Sequence, residues 1–222
     1  MGYDGLLLDH DGVLVTLGDR ESLTAAATAA LRDAGVREPD PATVETLRVS
    51  VDREELDAIS GRHDLDPETL WAHRDDRVAE ALRTEATSGR KAPYDDVTTL
   101  EDIDHPLGIV SNNQTRVVEF VLDHYGLADR FDAVHARSPT PASLARKKPA
   151  PTYLEAAMAD LDVAEPLYVG DSESDVVAGH RAGLDVAFLR RDHNADARLD
   201  AIPRYEVESL AALDPILDGG GP

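Results

Sequence analysis

Near the start of the chain, Gly5-Leu6-Leu7-Leu8-Asp9-His10-Asp11-Gly12-Val13-Leu14 places two acids at i and i+2 after an apolar run. Carboxylates this close repel each other unless a cation or a proton is shared between them. Gly12 supplies the backbone freedom for a turn directly after them. Polar groups recur in comparable settings: Ser111-Asn112 after Leu107–Val110, and Asp171 with Asp175 after Leu167–Gly170. Lys147-Lys148 stands before Pro149. Clustered carboxylates suit a hard divalent cation such as Mg²⁺, which prefers oxygen ligands and retains water. A hydroxyl, an amide and an ammonium suit a phosphoryl group, whose oxygens need donors and positive charge. The chemistry in prospect is Mg²⁺-dependent phosphoryl transfer.

These groups can meet only if the elements that carry them lie side by side. Leu6–Leu8 reads as a buried strand of a parallel sheet. From Asp19 to about Gly89 the pattern is helical. Asp19 or Ser22 caps a first helix running to Gly35; a second is expected from Pro41 to about Ile59; a third opens at Asp66-Pro67-Glu68. Beyond Pro93, strands at Leu107–Val110, Phe131–Ala136, Pro166–Gly170 and Val186–Leu189 alternate with helices at Thr115–Tyr125, Thr152–Leu161 and Ser174–Ala182. Such alternation predicts an α/β fold, a Rossmann-like parallel sheet with helices on both faces. The helical stretch is then an insertion after the first strand. Core residues 1–17 and 92–222 would flank an all-α unit at 18–91, with Gly219–Pro222 frayed.

The chain of 222 residues has 44 acids against 22 bases, a formal charge of −22, and only three lysines, Lys91, Lys147 and Lys148. That field repels nucleic acid and anionic lipid. No acidic block stands apart as a tail, so adaptation to high salt is the expected cause. Cysteine is absent, which excludes disulfides and thiolate chemistry. With no signal-peptide layout and no membrane-length apolar run, a cytoplasmic protein without a membrane partner is expected.

Taken in order, Asp9-His10-Asp11-Gly12-Val13-Leu14, Val110-Ser111-Asn112, Lys148-Pro149 and Gly170-Asp171-Ser172-Glu173-Ser174-Asp175 resemble the haloacid dehalogenase superfamily, in particular its phosphatase-like members with a helical cap after the first strand. The resemblance implies that Asp9 is the nucleophile of an aspartyl-phosphate and Asp11 the acid and base, its carbonyl on the metal. It implies Ser111 on a phosphoryl oxygen with the Asn112 amide beside it, and Lys148, the lysine directly before proline, as charge neutraliser. Asp171 would bind Mg²⁺ and Asp175 support it. Three departures blur the substrate: Val13 replaces the usual threonine, His10 an aromatic or aliphatic residue, and Val15-Thr16-Leu17-Gly18 a common Asp-Ser pair.

The expected partner is a small phosphorylated metabolite, phosphoglycolate-like or sugar-phosphate-like. A phosphomutase would share the same core residues. A non-catalytic phospho-acceptor, similar to a response-regulator receiver, would be about half as long. Simpler roles compete at some positions. Ser111 and Asn112 can cap the following helix, and Ser172-x-x-Asp175 is itself a capping box. The histidines show no ligand spacing, and Trp71, His73, Arg74 and Arg77 read as helix core or surface more readily than as substrate contacts.

Overall fold

The apolar triplet forms β1 (Leu6–Leu8), fully buried. In this computed structural model, which describes residues 2–48 and 51–219, its side chains alternate as a pleated strand requires. Leu6 and Leu8 enter one core and Leu7 the core on the opposite face. The strands that follow are β2 (Leu107–Gln114), β3 (Ala133–Arg137), β4 (Leu167–Gly170), β5 (Val186–Leu189) and β6 (Tyr205–Val207). Together they make one parallel sheet in the order β3-β2-β1-β4-β5-β6. α5 (Thr115–Tyr125) covers the Leu6/Leu8 face with Val117, Val118, Val121 and Leu122. α6 (Thr152–Leu161) and α7 (Glu173–Arg181) cover the Leu7 face with Leu154, Ala157, Val176 and Ala178. The Rossmann-like α/β expectation holds.

Between β1 and β2 lie α1 (Arg20–Asp33), α2 (Pro41–Arg48), α3 (Arg53–His63) and α4 (Pro67–Thr87). Of the two candidate caps for α1 it is Asp19 that serves, its carboxylate accepting from the Ser22 N–H at 2.9 Å. Asp66 caps α4, with Pro67 at the first helical position. The single helix expected from Pro41 to Ile59 is instead two. Asp52 and Glu55 form a reciprocal capping box that begins α3 afresh, satisfying two donors that an uninterrupted helix would never have exposed. Leu31, Leu47, Leu56, Ile59, Leu70 and Trp71 pack into a core of these helices. Trp71 and Arg74 are buried there, and Arg77 pairs with Asp33 on the surface.

α4 also ties the helices to the sheet. Val78, Ala79, Leu82 and Ala86 from its second half join the Leu6/Leu8 core beside α5. Asp75, 1% exposed, receives two bonds from Arg137 at the end of β3 (2.7 and 2.8 Å) and one from Arg74 at 3.1 Å. The segments leading into and out of the helices run side by side: the Thr16 N–H donates to the Ala92 carbonyl at 2.9 Å, and the Ala92 N–H to the Thr16 hydroxyl at 3.1 Å.

Elsewhere the differences are small. β2 runs on to Gln114, β3 begins at Ala133 rather than Phe131, and α7 begins one residue early. β6 and a short terminal helix, α8 (Leu213–Leu217), were not expected. From Gly220 on, the expected frayed tail lies outside the described residues.

Candidate active site

β2 and β4 flank β1 on opposite sides. The connection from β1 leads to one side, to β2, and that from β4 to the other, to β5, and the crevice left between them is where open α/β sheets bind ligands. Asp9 follows β1, Asp171 follows β4, and Ser111 to Asn113 lie in the last turn of β2. There the register slips: Ser111 pairs with Ala136 but Gln114 with the next residue, Arg137. The bulge turns Asn112 and Asn113, directly after Ser111, out of the ladder. Two glycines are dictated by crowding. A Cβ on Gly12, whose φ is +86°, would fall 2.0 Å from Asp171 Oδ2, and one on Gly170 would fall 2.2 Å from the Asp175 Cβ.

Asp9, Asp171 and Asp175 bring carboxylate oxygens within 4.8 Å of one another, all buried. Lys148, 5% exposed, is the counter-charge, with Nζ 2.9 Å from Asp9 Oδ1 and 2.6 Å from Asp175 Oδ1. Burial alone would lower the lysine's pKa, but Asp175 and Asp9 outweigh it and hold it above the ordinary value. Burial pushes Asp9 well up; Lys148 opposes this and the two neighbouring acids add to it. Asp9 Oδ1 also accepts from the His10 N–H at 2.7 Å, while Oδ2 has no hydrogen-bond partner among the described residues.

Asp175 is fully engaged. Its Oδ1 takes Lys148 and the Tyr168 hydroxyl (2.6 Å); its Oδ2 takes the Ser172 N–H (3.0 Å) and hydroxyl (2.5 Å). The capping box expected at Ser172 and Asp175 is thus present, and the same carboxylate holds Lys148.

Asp11 stands apart from the three acids. It accepts from Asn113 Nδ2 at 2.8 Å, lies 3.3 Å from His10 Nδ1, and makes a very short contact with the Lys91 ammonium. Burial raises its pKa, yet Lys91 and His10 prevail and hold the carboxyl far below the usual carboxylate range. Lys91, wholly buried, also donates to the Thr16 carbonyl at 2.6 Å.

Ser111 is buried, and its oxygen accepts from the Asn113 N–H at 3.1 Å, leaving the hydroxyl proton free to donate. The Asn112 side chain clasps the Lys148 main chain, accepting from its N–H at 2.7 Å and donating to its carbonyl at 3.1 Å. Neither residue caps the following helix: Gln114 occupies that position without a side-chain capping bond. The Lys148–Pro149 peptide is cis.

Lys147 turns away from the site to donate to the Val51 carbonyl at 2.9 Å. Burial, with Arg74 and Arg137 nearby, lowers its pKa to about 8. Between there and the ordinary value of about 10.4, the unfolded chain keeps a proton that the folded chain has shed, so stability rises with pH. We expect the urea-unfolding free energy to climb by up to about 1 kcal/mol per unit between roughly pH 8 and pH 10. Lys147→Met should flatten that slope; a slope left unchanged would exclude Lys147 as its source.

Three carboxylates against one ammonium, walled off from solvent, leave an excess of negative charge that a divalent cation would neutralise. The oxygen-only donor set fits Mg²⁺. Sequence reasoning did not find Lys91, Asn113, Tyr168 or His193, whose Nε2 lies 2.6 Å from Asp171 Oδ2. Lys91 carried a usable signal, being one of three lysines in the chain; all three prove to be at or beside this crevice.

A protein-family model described as haloacid dehalogenase-like hydrolase matches residues 6–189. Among curated proteins, a phosphoglycolate phosphatase of Haemophilus influenzae is 30% identical over 119 residues, covering 53% of this chain and 52% of that protein. A phosphoglycolate phosphatase of Yersinia pseudotuberculosis is 32% identical over 113 residues, 49% and 48% of the two chains. The chain thus spans about half the length of these curated relatives. Among solved structures, CbbY from Rhodobacter sphaeroides in complex with phosphate aligns with a TM-score of 0.71 and 20% identity over 95% of this chain and 96% of that one. The same protein in complex with xylulose-(1,5)bisphosphate gives 0.70 at 20% identity, covering the same 95% and 96%. At such identities the likeness is one of fold.

Proposed function

Because the chain belongs to the haloacid dehalogenase-like hydrolase family, we propose that it is a Mg²⁺-dependent phosphatase that hydrolyses a small phosphate monoester. The observation that carries this reading is the buried meeting of Asp9, Lys148, Asp171 and Asp175, with one oxygen of Asp9 left free. Asp9 Oδ2 attacks phosphorus, the bond to the leaving oxygen breaks, and Asp11 gives that oxygen a proton. Asp11 then takes a proton from water as the water attacks the aspartyl-phosphate, which releases phosphate and restores Asp9. The Lys91 contact keeps Asp11 ionised, which suits the second half. The first requires the pair to part as substrate enters.

Lys148 balances charge on nucleophile and phosphoryl group, and the Ser111 hydroxyl and the Asn112 main-chain amide donate to phosphoryl oxygens. Mg²⁺ would be held by Asp9, Asp171 and the Asp11 carbonyl, with Asp175 in support, and would offset charge on the phosphoryl oxygens. Residues 18–91 act as a cap over a core of residues 1–17 and 92–222, excluding water and choosing the substrate. The relatives' names favour a phosphoglycolate-like or sugar-phosphate-like monoester. The charge of −22 supports a salt-adapted protein.

The test is phosphate release from a panel of monoesters, with Mg²⁺ in molar KCl. Release from at least one is expected, and the panel ranks the substrates. An isomerised sugar phosphate with little free phosphate would favour a mutase instead. A phosphorylated Asp9 lasting minutes without turnover would favour a phospho-acceptor.

A further inference from the structure

The turn after β5 is built against Asp171. The Asn194 side chain donates to the Asp171 carbonyl at 2.8 Å and to the Leu189 carbonyl at 2.9 Å, and accepts from the Arg191 N–H at 2.7 Å. These bonds pin the short 3₁₀ turn Asp192–Asn194 at the end of β4. His193, the residue before, then sets Nε2 2.6 Å from Asp171 Oδ2. Successive residues hold one aspartate, Asn194 by its main chain and His193 by its carboxylate. The imidazole, 25% exposed, stands between Asp171 and a cavity of about 920 Å³ that Thr16, Leu17 and Tyr94 help to line.

An N–H given to one carboxylate oxygen fixes the carboxylate plane and leaves the other oxygen for a ligand. No other hydrogen bond to the Asp171 carboxylate is made among the described residues. The ring itself lies outside the group of mutually close oxygens from Asp9, Asp171 and Asp175. We propose that His193 is a positioning residue for the cation site: by donating Nε2–H to Asp171 Oδ2 it presents Oδ1 to a divalent cation and tightens its binding. The inference rests on the reading of Asp171 as a metal ligand.

The test uses Mn²⁺ as the probe, its free aquo ion counted by electron paramagnetic resonance during titration. Wild type, His193→Ala, His193→Gln and Asp171→Asn are compared at one pH, each first checked for a cooperative metal-free unfolding transition well above the titration temperature. His193→Ala should weaken Mn²⁺ binding by roughly 10-fold or more. The amide N–H of His193→Gln should restore most of it. Spin-echo spectra of the wild-type complex should show no directly coordinated nitrogen. Equal affinity in wild type and His193→Ala, with binding lost in Asp171→Asn, would overturn the inference alone, as would a directly bound nitrogen or no rescue by glutamine. Affinity unchanged in Asp171→Asn would overturn the metal-site reading itself.

Discussion

Asp9→Asn is expected to abolish phosphate release, by a factor on the order of 10⁴ or more, and to leave the fold intact. The amide keeps the shape of the carboxylate, and its oxygen can still accept from the His10 N–H and from Lys148. What disappears is the anionic oxygen that attacks phosphorus. Burial and the acids Asp175 and Asp171 make an ionised Asp9 unfavourable in the absence of metal. A raised carboxyl pKa contributes stability that is present at low pH and is lost as pH rises through the folded value. The neutral amide escapes that loss, so the metal-free variant should melt above wild type at neutral pH. Inactivity and a higher melting temperature together would separate a lost nucleophile from a damaged fold. Turnover retained in the variant would remove Asp9 from the mechanism.

The second large effect is on stability. Asp75→Ala should cost about 3–5 kcal/mol, the range found when one partner of a buried ion pair is removed. Asp75 accepts from Arg74 and Arg137, all three of them buried, and among the described residues no other carboxylate bonds to either guanidinium. Without it two guanidiniums remain in the interior beside Lys147, whose lowered pKa already registers their charge. Glu45, whose half-exposed carboxylate pairs with Arg20 and Arg48 at the surface, provides the contrast: Glu45→Ala should change stability by no more than about 1 kcal/mol. Urea unfolding of both variants checks the difference, and a cost for Asp75→Ala as small as that for Glu45→Ala would mean that the network contributes little.

Both effects concern groups of differing legibility in the sequence. Asp9, Ser111 and Asp171 were readable because each ends or follows a short apolar run, and parallel strands bring such ends together whatever lies between; Lys148 before Pro149 and Asp175 in Gly170–Asp175 were readable only through the family motifs that contain them. Asp75 and Arg137 were not. Each is one charge on an amphipathic element, and only the docking of α4 against β3 makes them meet. Lys91 and His193 reach their aspartates across 80 and 22 residues, from segments without periodicity. The merged helix from Pro41 to Ile59 was a different failure: apolar spacing continues through Val51, and the polar exchange between Asp52 and Glu55 overrides it. β6 offers only three residues of pattern, too few to distinguish from a loop.

The pairing of Thr16 with Ala92 bears on how such a molecule diversifies. A lineage can lengthen, shorten or exchange an insertion whose two ends meet without altering strand register, since the entropy of closing the longer loop grows only slowly. Recombination at those ends would nonetheless strip Val78, Ala79, Leu82 and Ala86 from the flank of α5. An incoming segment would have to replace that apolar stripe. An exchange that preserved packing would therefore have its boundary inside α4, between Trp71 and Val78 where one core gives way to the other, rather than at the junction where the backbone crosses.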